Sequence, residues 1–460
     1  MEASEFEARK QELMEECTIT PEVFVRLMPR LERFMVPFVG RLARKEQIEH
    51  ARTFVRGLLS DLEHKNAESI AYLFGQERMP LQHFLGVSCW DDKPLRDELV
   101  SQVGKQLGEV DGVIVFDPSA FPKSGCDSVG VARQWCGRLG KVDNCQVGIF
   151  MGYVSSREHA LVDMRLYLPK EWTNDRKRRE KAGVPKEIRY RTRHELCLEM
   201  LAEHGQQLPH QWITGDDEMG RPYWFRRRLD VLDERYLLAV PCNTTVRDLE
   251  VDPPAYSGRG RYPKRPWIRV DQLITTLQNH DWTKIDVRDG SKGPLIVEAV
   301  KRRVMGRTDK RQEGHEEVFV AIRYKDRDDQ RVVKTDYYLS NASGDTALAQ
   351  FARAAKAEHR IEECIQRAKG KAGLADYEVR TWNGWHHHQT LSLIATWFLV
   401  TETRRGKKMD TGNHSSADSG GYRTDHPQSL WMRYSLHRRR CPTEASRTQR
   451  TCPSVPLETT

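Results

Sequence analysis

Apolar residues recur at three- and four-residue spacing over 22–43, 46–64 and 94–107, which predicts three amphipathic helices near the start of the chain. Pro80 and the turn Trp90-Asp91-Asp92 interrupt this pattern. At Asp111 the period changes. The run 112–116 is short, apolar and bounded by polar residues, as in a buried strand. Segments 145–154 and 160–168 read as two more strands, joined by the turn Ser155-Ser156-Arg157-Glu158. An amphipathic helix is expected over 192–204, then a short strand over 211–214 that ends at Gly215-Asp216. Three strands, a helix and a strand predict an α/β fold, with helices on the faces of a sheet.

Strand signals return after about position 230, at 236–240, 295–303, 317–324 and 331–339. Between them lie loops rich in Pro, Gly and Arg, such as 253–266. Segment 240–340 therefore reads as an inserted β-rich subdomain. Ser343-Gly344-Asp345-Thr346 offers N-caps for a long helix that Gly370 and Gly373 should end. Within it, Ile361, Ile365 and Ala368 form an apolar stripe, and Glu362 and Lys369 share the adjacent face because seven residues make nearly two turns. A last helix is expected over 385–401. The resulting layout is a helical domain at 1–108, a core at 109–239, the β insertion at 240–340, a helical second part of the core at 341–405, and a basic tail at 406–460 that reads as disordered.

Composition narrows the class. Charged residues make up 30% of the 460 positions and mean hydropathy is −0.69, which predicts a soluble protein. No apolar run is long enough to span a bilayer, and the first ten residues lack a signal-peptide core, so a cytoplasmic location without membrane partners is expected. The ten cysteines are scattered without a CxxC pair, which argues against a zinc ribbon or a disulfide framework. Net charge is +8, and the tail from Arg404 carries 11 Lys/Arg against 5 Asp/Glu. That balance favours a polyanionic partner.

The acidic residues suggest chemistry. Asp117 directly follows the predicted strand 112–116, Asp216 follows 211–214, and Glu362 lies on the late helix. Three carboxylates from separate elements can hold two divalent cations, and two metals roughly 3.5–4 Å apart can activate the attacking oxygen and stabilise the leaving oxygen of a phosphodiester. Hard oxygen donors select Mg²⁺ or Mn²⁺. An aspartate after a strand also serves as a turn residue or helix cap, so spacing alone leaves both roles open.

Longer blocks carry a resemblance. The first runs from Asp117-Pro-Ser-Ala-Phe-Pro-Lys123-Ser-Gly125 through Arg133-Gln134 to Asn144-Cys-Gln146. The second is Gly215-Asp216-Asp217-Glu218-Met219-Gly220. The third is Arg360-Ile-Glu362-Glu, with Lys369, then Tyr377-Glu-Val-Arg380, Trp382 and Trp385. Together, in order from about 20 to 405, they resemble bacterial insertion-sequence DDE transposases. The resemblance implies a ribonuclease-H-like core with a β-rich insertion before the catalytic Glu. It implies Asp117, Asp216 and Glu362 as catalytic metal ligands with Mg²⁺, or Mn²⁺, as cofactor. It gives Lys369, supported by Arg360, a phosphate contact, and places Lys123, Arg133 and Gln134 in DNA binding or active-site support.

Two positions depart from the family pattern. Glu358 stands where hairpin-forming members place an arginine, and Met219 where an aromatic is usual. The tail from Asp410 also departs. The implied activity is cut-and-paste transposition: hydrolysis at terminal inverted repeats, then strand transfer into target DNA, by a homodimer that holds two ends of double-stranded DNA at the nucleoid. The alternatives are an inactive transposase-derived DNA-binding protein and a non-transposing nuclease on the same core. The adjacent histidines His386, His387 and His388 point in different directions on a helix, so they suit a helix end near DNA better than one metal site.

Overall fold

The computed structural model describes residues 27–290, 293–326 and 330–413. The tail expected to be disordered over 406–460 is helical through Asn413, as the helix that begins at Trp382 continues into it; its remainder and the start of the first predicted helix lie outside the described residues. The described chain forms two compact units, residues 27–34 with 401–413, and residues 35–400. In the smaller unit Arg30 pairs with Glu402 at 2.7 Å.

The first helices are α1 (Leu27–Val39), α2 (Lys45–Leu58), α3 (Ala67–Leu73), α4 (Arg78–Gly86) and α5 (Lys93–Leu107). Pro80 does not break a helix, as its position in the pattern suggests. It lies in the first turn of α4, where its missing N–H has no helical acceptor to serve. Phe54, Val55, Leu81, Phe84, Leu95, Leu99 and Val103 are buried.

The central part holds β1 (Val113–Pro122), β2 (Ala132–Cys136), β3 (Lys141–Val154), β4 (His159–Leu166), the short helices α6 (Lys170–Asn174) and α7 (Arg176–Lys181), and α8 (Arg193–His204). Then come β5 (Trp212–Gly215), α9 (Asp217–Gly220), α10 (Tyr223–Val231) and β6 (Tyr236–Ala239). Thr192 caps α8 in a capping box with Glu195. The later strands are β7 (Thr245–Asp248), β8 (Ile268–Arg269), followed by the short helix α11 (Val270–Leu273), β9 (Thr283–Gly290), β10 (Gly293–Arg307), β11 (Glu313–Lys325) and β12 (Val332–Ser340). Two long helices close the described chain, α12 (Leu348–Lys371) and α13 (Trp382–Asn413).

The described strands form a twelve-stranded mixed sheet in the order β2-β3-β1-β5-β6-β12-β11-β10-β7-β8, with β4 on β3 and β9 on β10. An α/β class is therefore observed. β1 runs antiparallel to β3 and parallel to β5, and β5 runs parallel to β6. Val246, Val270, Val300, Val304, Phe319, Ala321 and Leu339 form a separate apolar cluster among the later strands.

Helix α12 lies on the central sheet, and its stripe Ile361, Ile365 and Ala368 is buried there as expected. Its N-cap is Ala347 rather than Ser343, Asp345 or Thr346, because the Ser343 hydroxyl already accepts from the Asp345 N–H one turn too early. The helix ends at Lys371, and Gly373 takes a positive φ of 66° just beyond it. Among the described residues no helix is long and apolar enough to cross a membrane, and the seven cysteines are free thiols.

Candidate active site

Asp117 lies within β1, not after it. Pairing with β3 continues to Pro122↔Cys145, so the strand extends through the polar-looking block Asp117-Pro-Ser that ends the apolar run. Asp117 opposes Phe150 on β3. On the other edge of β1, Phe116 pairs with Gly215 of parallel β5. The next residues along these two strands are Asp117 and Asp216, which the register therefore sets side by side. Gly215 permits this approach, since a Cβ there would meet the Phe116 carbonyl and the Met219 side chain at 2.9 Å each. Met219, where an aromatic was expected, fills the space under the turn. It is fully buried, with its sulfur 3.6 Å from that of Cys197. Asp216 caps α9, and its carboxylate accepts from the Met219 N–H at 3.0 Å.

Helix α12 supplies the third acid. Residues directly opposed across an antiparallel ladder share a face, so Val115, Asp117 and Ser119 lie on the side of β1 that bears Gly152 of β3. A Cβ on Gly152 would meet Ile361 at 2.4 Å, so α12 rests on this side with Ile361 pressed to the sheet. Glu362 follows Ile361 at the exposed margin, and its charge acts on Asp117. Lys369, two turns on, donates to the Ser119 hydroxyl at 2.8 Å and lies 4.7 Å from the centre of the Phe121 ring. The shared face of Glu362 and Lys369 thus meets the face of β1 that carries Asp117.

The pocket is electrostatically loaded. Burial, then the charges of Asp216 and Glu362, push Asp117 up to about 8. Burial, then Glu218 and Asp217, push Asp216 up to about 7 against the Met219 N–H bond. Glu358 joins them from one turn earlier on α12. Burial, then Asp216 and Asp117, push it up to about 8. Lys369 is held below its ordinary value mainly by burial, with Arg138 adding to the effect and Asp117 opposing it. Like charges gathered in a half-buried site favour a bound cation. The groups that act on one another here are carboxylates, whose oxygens suit a hard divalent ion better than zinc.

The other expected residues fall elsewhere. Lys123 donates to the Tyr377 carbonyl at 3.0 Å and sits over the Tyr377 ring, and burial lowers it to about 8. Arg133 is exposed on β2. Gln134 is tied in from a distance: it donates to the Cys145 carbonyl at 2.9 Å and accepts from Arg193, which also grips Glu218 beside Asp216. Arg360 points away from Glu362 and donates to the Ser155 carbonyl in the β3–β4 turn at 2.9 Å. His386, His387 and His388 are buried rather than near a DNA-facing end, and each ring reaches a backbone carbonyl. Burial lowers His386 and His388 to about 4. Local sequence could not show their packing partners, Leu85, Trp90 and Gly373. Glu358 and Arg193 were missed as members of the site. The i,i+4 spacing of Glu358 and Glu362 was the signal available for the first.

A second acidic group, Asp97, Glu203 and His204, also brings donor atoms together. Its charges are already matched. Lys93 binds Asp97 at 2.9 Å and Glu203 at 2.6 Å, while Arg96 and Arg165 hold the adjacent buried Asp163. This network fastens α5 to α8 and β4, with the Lys93 ammonium between the two carboxylates a metal would need.

Comparison with known proteins adds two findings. A family model described as DDE superfamily endonuclease matches residues 37–294, a span that includes Asp117 and Asp216 and stops before Glu362. The chain is also 29% identical over 249 residues to a probable transposase for insertion sequence element IS701 from Microchaete diplosiphon. That match covers 52% of this chain and 59% of the relative, so the chain spans less than two thirds of the relative's length.

Proposed function

The chain belongs to the DDE superfamily endonucleases, and from that premise we propose that it is an insertion-sequence DNA transposase. The observation that supports the reading is that the β1–β5 register sets Asp117, midway along β1, beside Asp216, just past the end of β5, with the charge of Glu362 on α12 acting on Asp117. The printed function of the IS701 relative supports it. In this reading, residues 109–239 and 341–405 make a ribonuclease-H-like core. Support comes from the strand order β4-β3-β1-β5-β6, with the first three antiparallel and β1, β5 and β6 parallel. Residues 1–108 form a helical DNA-binding domain, 240–340 the β insertion, and 406–460 a basic tail.

Asp117, Asp216 and Glu362 hold Mg²⁺ or, in its place, Mn²⁺. Bound there, the metal supplies charge neutralisation and polarises the reacting oxygens of a phosphodiester. The sheet fixes the two aspartates, and α12 fixes the glutamate, so little reorganisation accompanies reaction. Lys369, held by Ser119, presents a cation to the phosphate. Water attacks phosphorus in line at a transposon end and the 3′ oxygen leaves as a hydroxyl. That hydroxyl then attacks a target phosphodiester in the same site, joining the end to the target 5′ phosphate while the target 3′ oxygen leaves as a hydroxyl. Arg133, exposed on β2, contributes to DNA binding, whereas Lys123, Arg360 and Gln134 brace the elements around the site. A homodimer pairs the two double-stranded terminal inverted repeats in the cytoplasm, at the nucleoid.

Glu358 favours one variation. The position one turn before Glu362 lacks the arginine of the hairpin-forming members, so the ends are released without a hairpin. Incubation of the protein with insertion-sequence end DNA, target plasmid and Mg²⁺ tests the reading. Joined products with free 3′ ends as precursors are expected. Cleavage without joining would instead make it a nuclease, and specific binding without cleavage an inactive derivative.

A further inference from the structure

The loop 253–266 between β7 and β8 is not used by the chemistry above. Over 253–267 the chain carries Arg259, Arg261, Lys264 and Arg265 and no acidic residue. Every residue from 251 to 262 is exposed. The cations divide into two kinds. Lys264 pairs with Glu313 at 3.0 Å and Arg265 donates to the Val251 carbonyl at 2.6 Å, so both fasten the root of the loop. The root is further fixed by Trp267, whose ring lies 4.3 Å from the Arg247 guanidinium and 5.1 Å from that of Arg307. The Arg259 carbonyl accepts from the Ser257 hydroxyl at 3.4 Å, but the guanidinium groups of Arg259 and Arg261 make no hydrogen bond or ion pair with the described residues. Two glycines set them apart: Gly258 and Gly260 have φ of 81° and 82°, a conformation that L side chains rarely adopt.

The tip also exposes an aromatic pair. Tyr256 and Tyr262 stack with centroids 4.3 Å apart and an interplanar angle of 22°. Tyr256 donates to the Gly260 carbonyl at 3.2 Å, which closes the tip, while Tyr262 is 78% exposed. A built, rooted loop that presents two unmatched guanidinium groups beside an open ring has the chemistry of a nucleic-acid contact: planar cations for phosphate oxygens and a flat face for sugar and base edges.

We propose that the loop 253–266 is a finger that grips duplex DNA, with Arg259 and Arg261 on backbone phosphates and Tyr262 against the groove edge. The proposal rests on the reading of the chain as a DNA transposase. It further says that this contact follows the backbone and contributes equally to any duplex sequence.

The test is fluorescence-anisotropy binding of the full chain to a mixed-sequence DNA duplex in EDTA, across a series of salt concentrations. For the doubly substituted Arg259→Ala/Arg261→Ala chain, the slope of log affinity against log salt should flatten by about 2. Tyr262→Ala should weaken binding by about two- to threefold, since the ring meets sugar and groove edges and not open base faces. Thermal midpoints should match the unmodified chain, since these side chains are exposed. An unchanged slope with unchanged affinity overturns the proposal. So does loss of binding to single-stranded RNA with duplex binding intact. Cleavage is a separate readout: if Asp117→Asn abolishes Mg²⁺-dependent cutting while the loop variants bind like the parent, only the finger fails. If the unmodified chain binds no duplex at all, the transposase reading fails with it.

Discussion

The Lys369 ammonium donates to the Ser119 hydroxyl at 2.8 Å, two residues along β1 from Asp117. Because alternate strand residues share a face, this bond holds a cation beside the acidic pocket without placing it on the acids themselves. Lys369→Ala should therefore lower Mg²⁺-dependent end cleavage by about 10²-fold, the scale of losing one preorganised charge-stabilising group. DNA affinity should change little. Single-turnover cleavage together with equilibrium binding checks both, and an unaltered cleavage rate would remove Lys369 from the chemistry.

The loaded pocket makes metal-free stability depend on pH. Asp117 and Glu358 are raised to about 8 and Asp216 to about 7, so the folded state binds protons that the unfolded chain has released. Stability from these groups is fully present at low pH and is lost as pH rises through 7 to 8. His386 and His388, lowered to about 4, act in the opposite sense, and their contribution falls away as pH drops below about 6.5, the ordinary histidine value. In EDTA the melting temperature should rise between pH 8.5 and 6.5. Saturating Mg²⁺ should flatten or reverse that slope. A flat profile in EDTA would contradict the mutual repulsion of Asp117, Asp216 and Glu358.

Glu358→Gln removes one of the repelling charges while keeping the side chain's size. It should raise the melting temperature in EDTA at pH 8 and leave it nearly unchanged at pH 5, where the carboxyl is already protonated. A fall at pH 8 would mean that the Glu358 charge is needed for the fold.

How much of this was legible beforehand varies from residue to residue. The stripe Ile361, Ile365 and Ala368 is periodic within one helix, and it packs as its spacing implies. The extension of β1 through Asp117 depends on pairing with Phe150 and the rest of β3, partners about 30 residues away that no local pattern contains. β2 was missed for a related reason, because its alternation is polar and its existence rests on β3. Pro80 was read as a breaker because its position within a helix turn cannot be told from the residue alone. At the site, motif blocks brought Asp117, Asp216, Glu362 and Lys369 forward. The burial of Glu358 beside them, and the Arg193 link from Gln134 to Glu218, come only from the way α8 and α12 pack.

The three histidines of α13 give a test of core against interface. His387 stacks on Trp90 at 3.7 Å and its two ring nitrogens lie 2.9 Å from the Leu85 and Trp90 carbonyls. His387→Ala should destabilise the chain by about 2–4 kcal/mol through lost packing and the loss of the one carbonyl bond a neutral ring can donate. The salt dependence of DNA binding, measured where the variant is folded, should not move. A flatter salt slope with normal stability would return the residue to the DNA interface.

Asp163, fully buried, accepts from Arg96 at 2.6 Å and from Arg165 at 2.7 Å. Asp163→Ala leaves the buried Arg96 to Asp92, 2.8 Å away, and takes a carboxylate from Arg165, so it should cost about 3 kcal/mol in urea unfolding. Mn²⁺ should not restore that stability, since Lys93 already neutralises Asp97 and Glu203. Rescue by the metal would make that network a binding site after all.

The central claim is that Asp117, Asp216 and Glu362 act as one Mg²⁺-dependent site on DNA. The most direct measurement is release of 3′-hydroxyl ends from insertion-sequence terminal DNA by the unmodified chain and by Asp117→Asn, Asp216→Asn and Glu362→Gln, each confirmed folded and DNA-bound. The account predicts Mg²⁺-dependent release by the unmodified chain and none by any of the three variants. Cleavage at the parental rate by even one of them would contradict it.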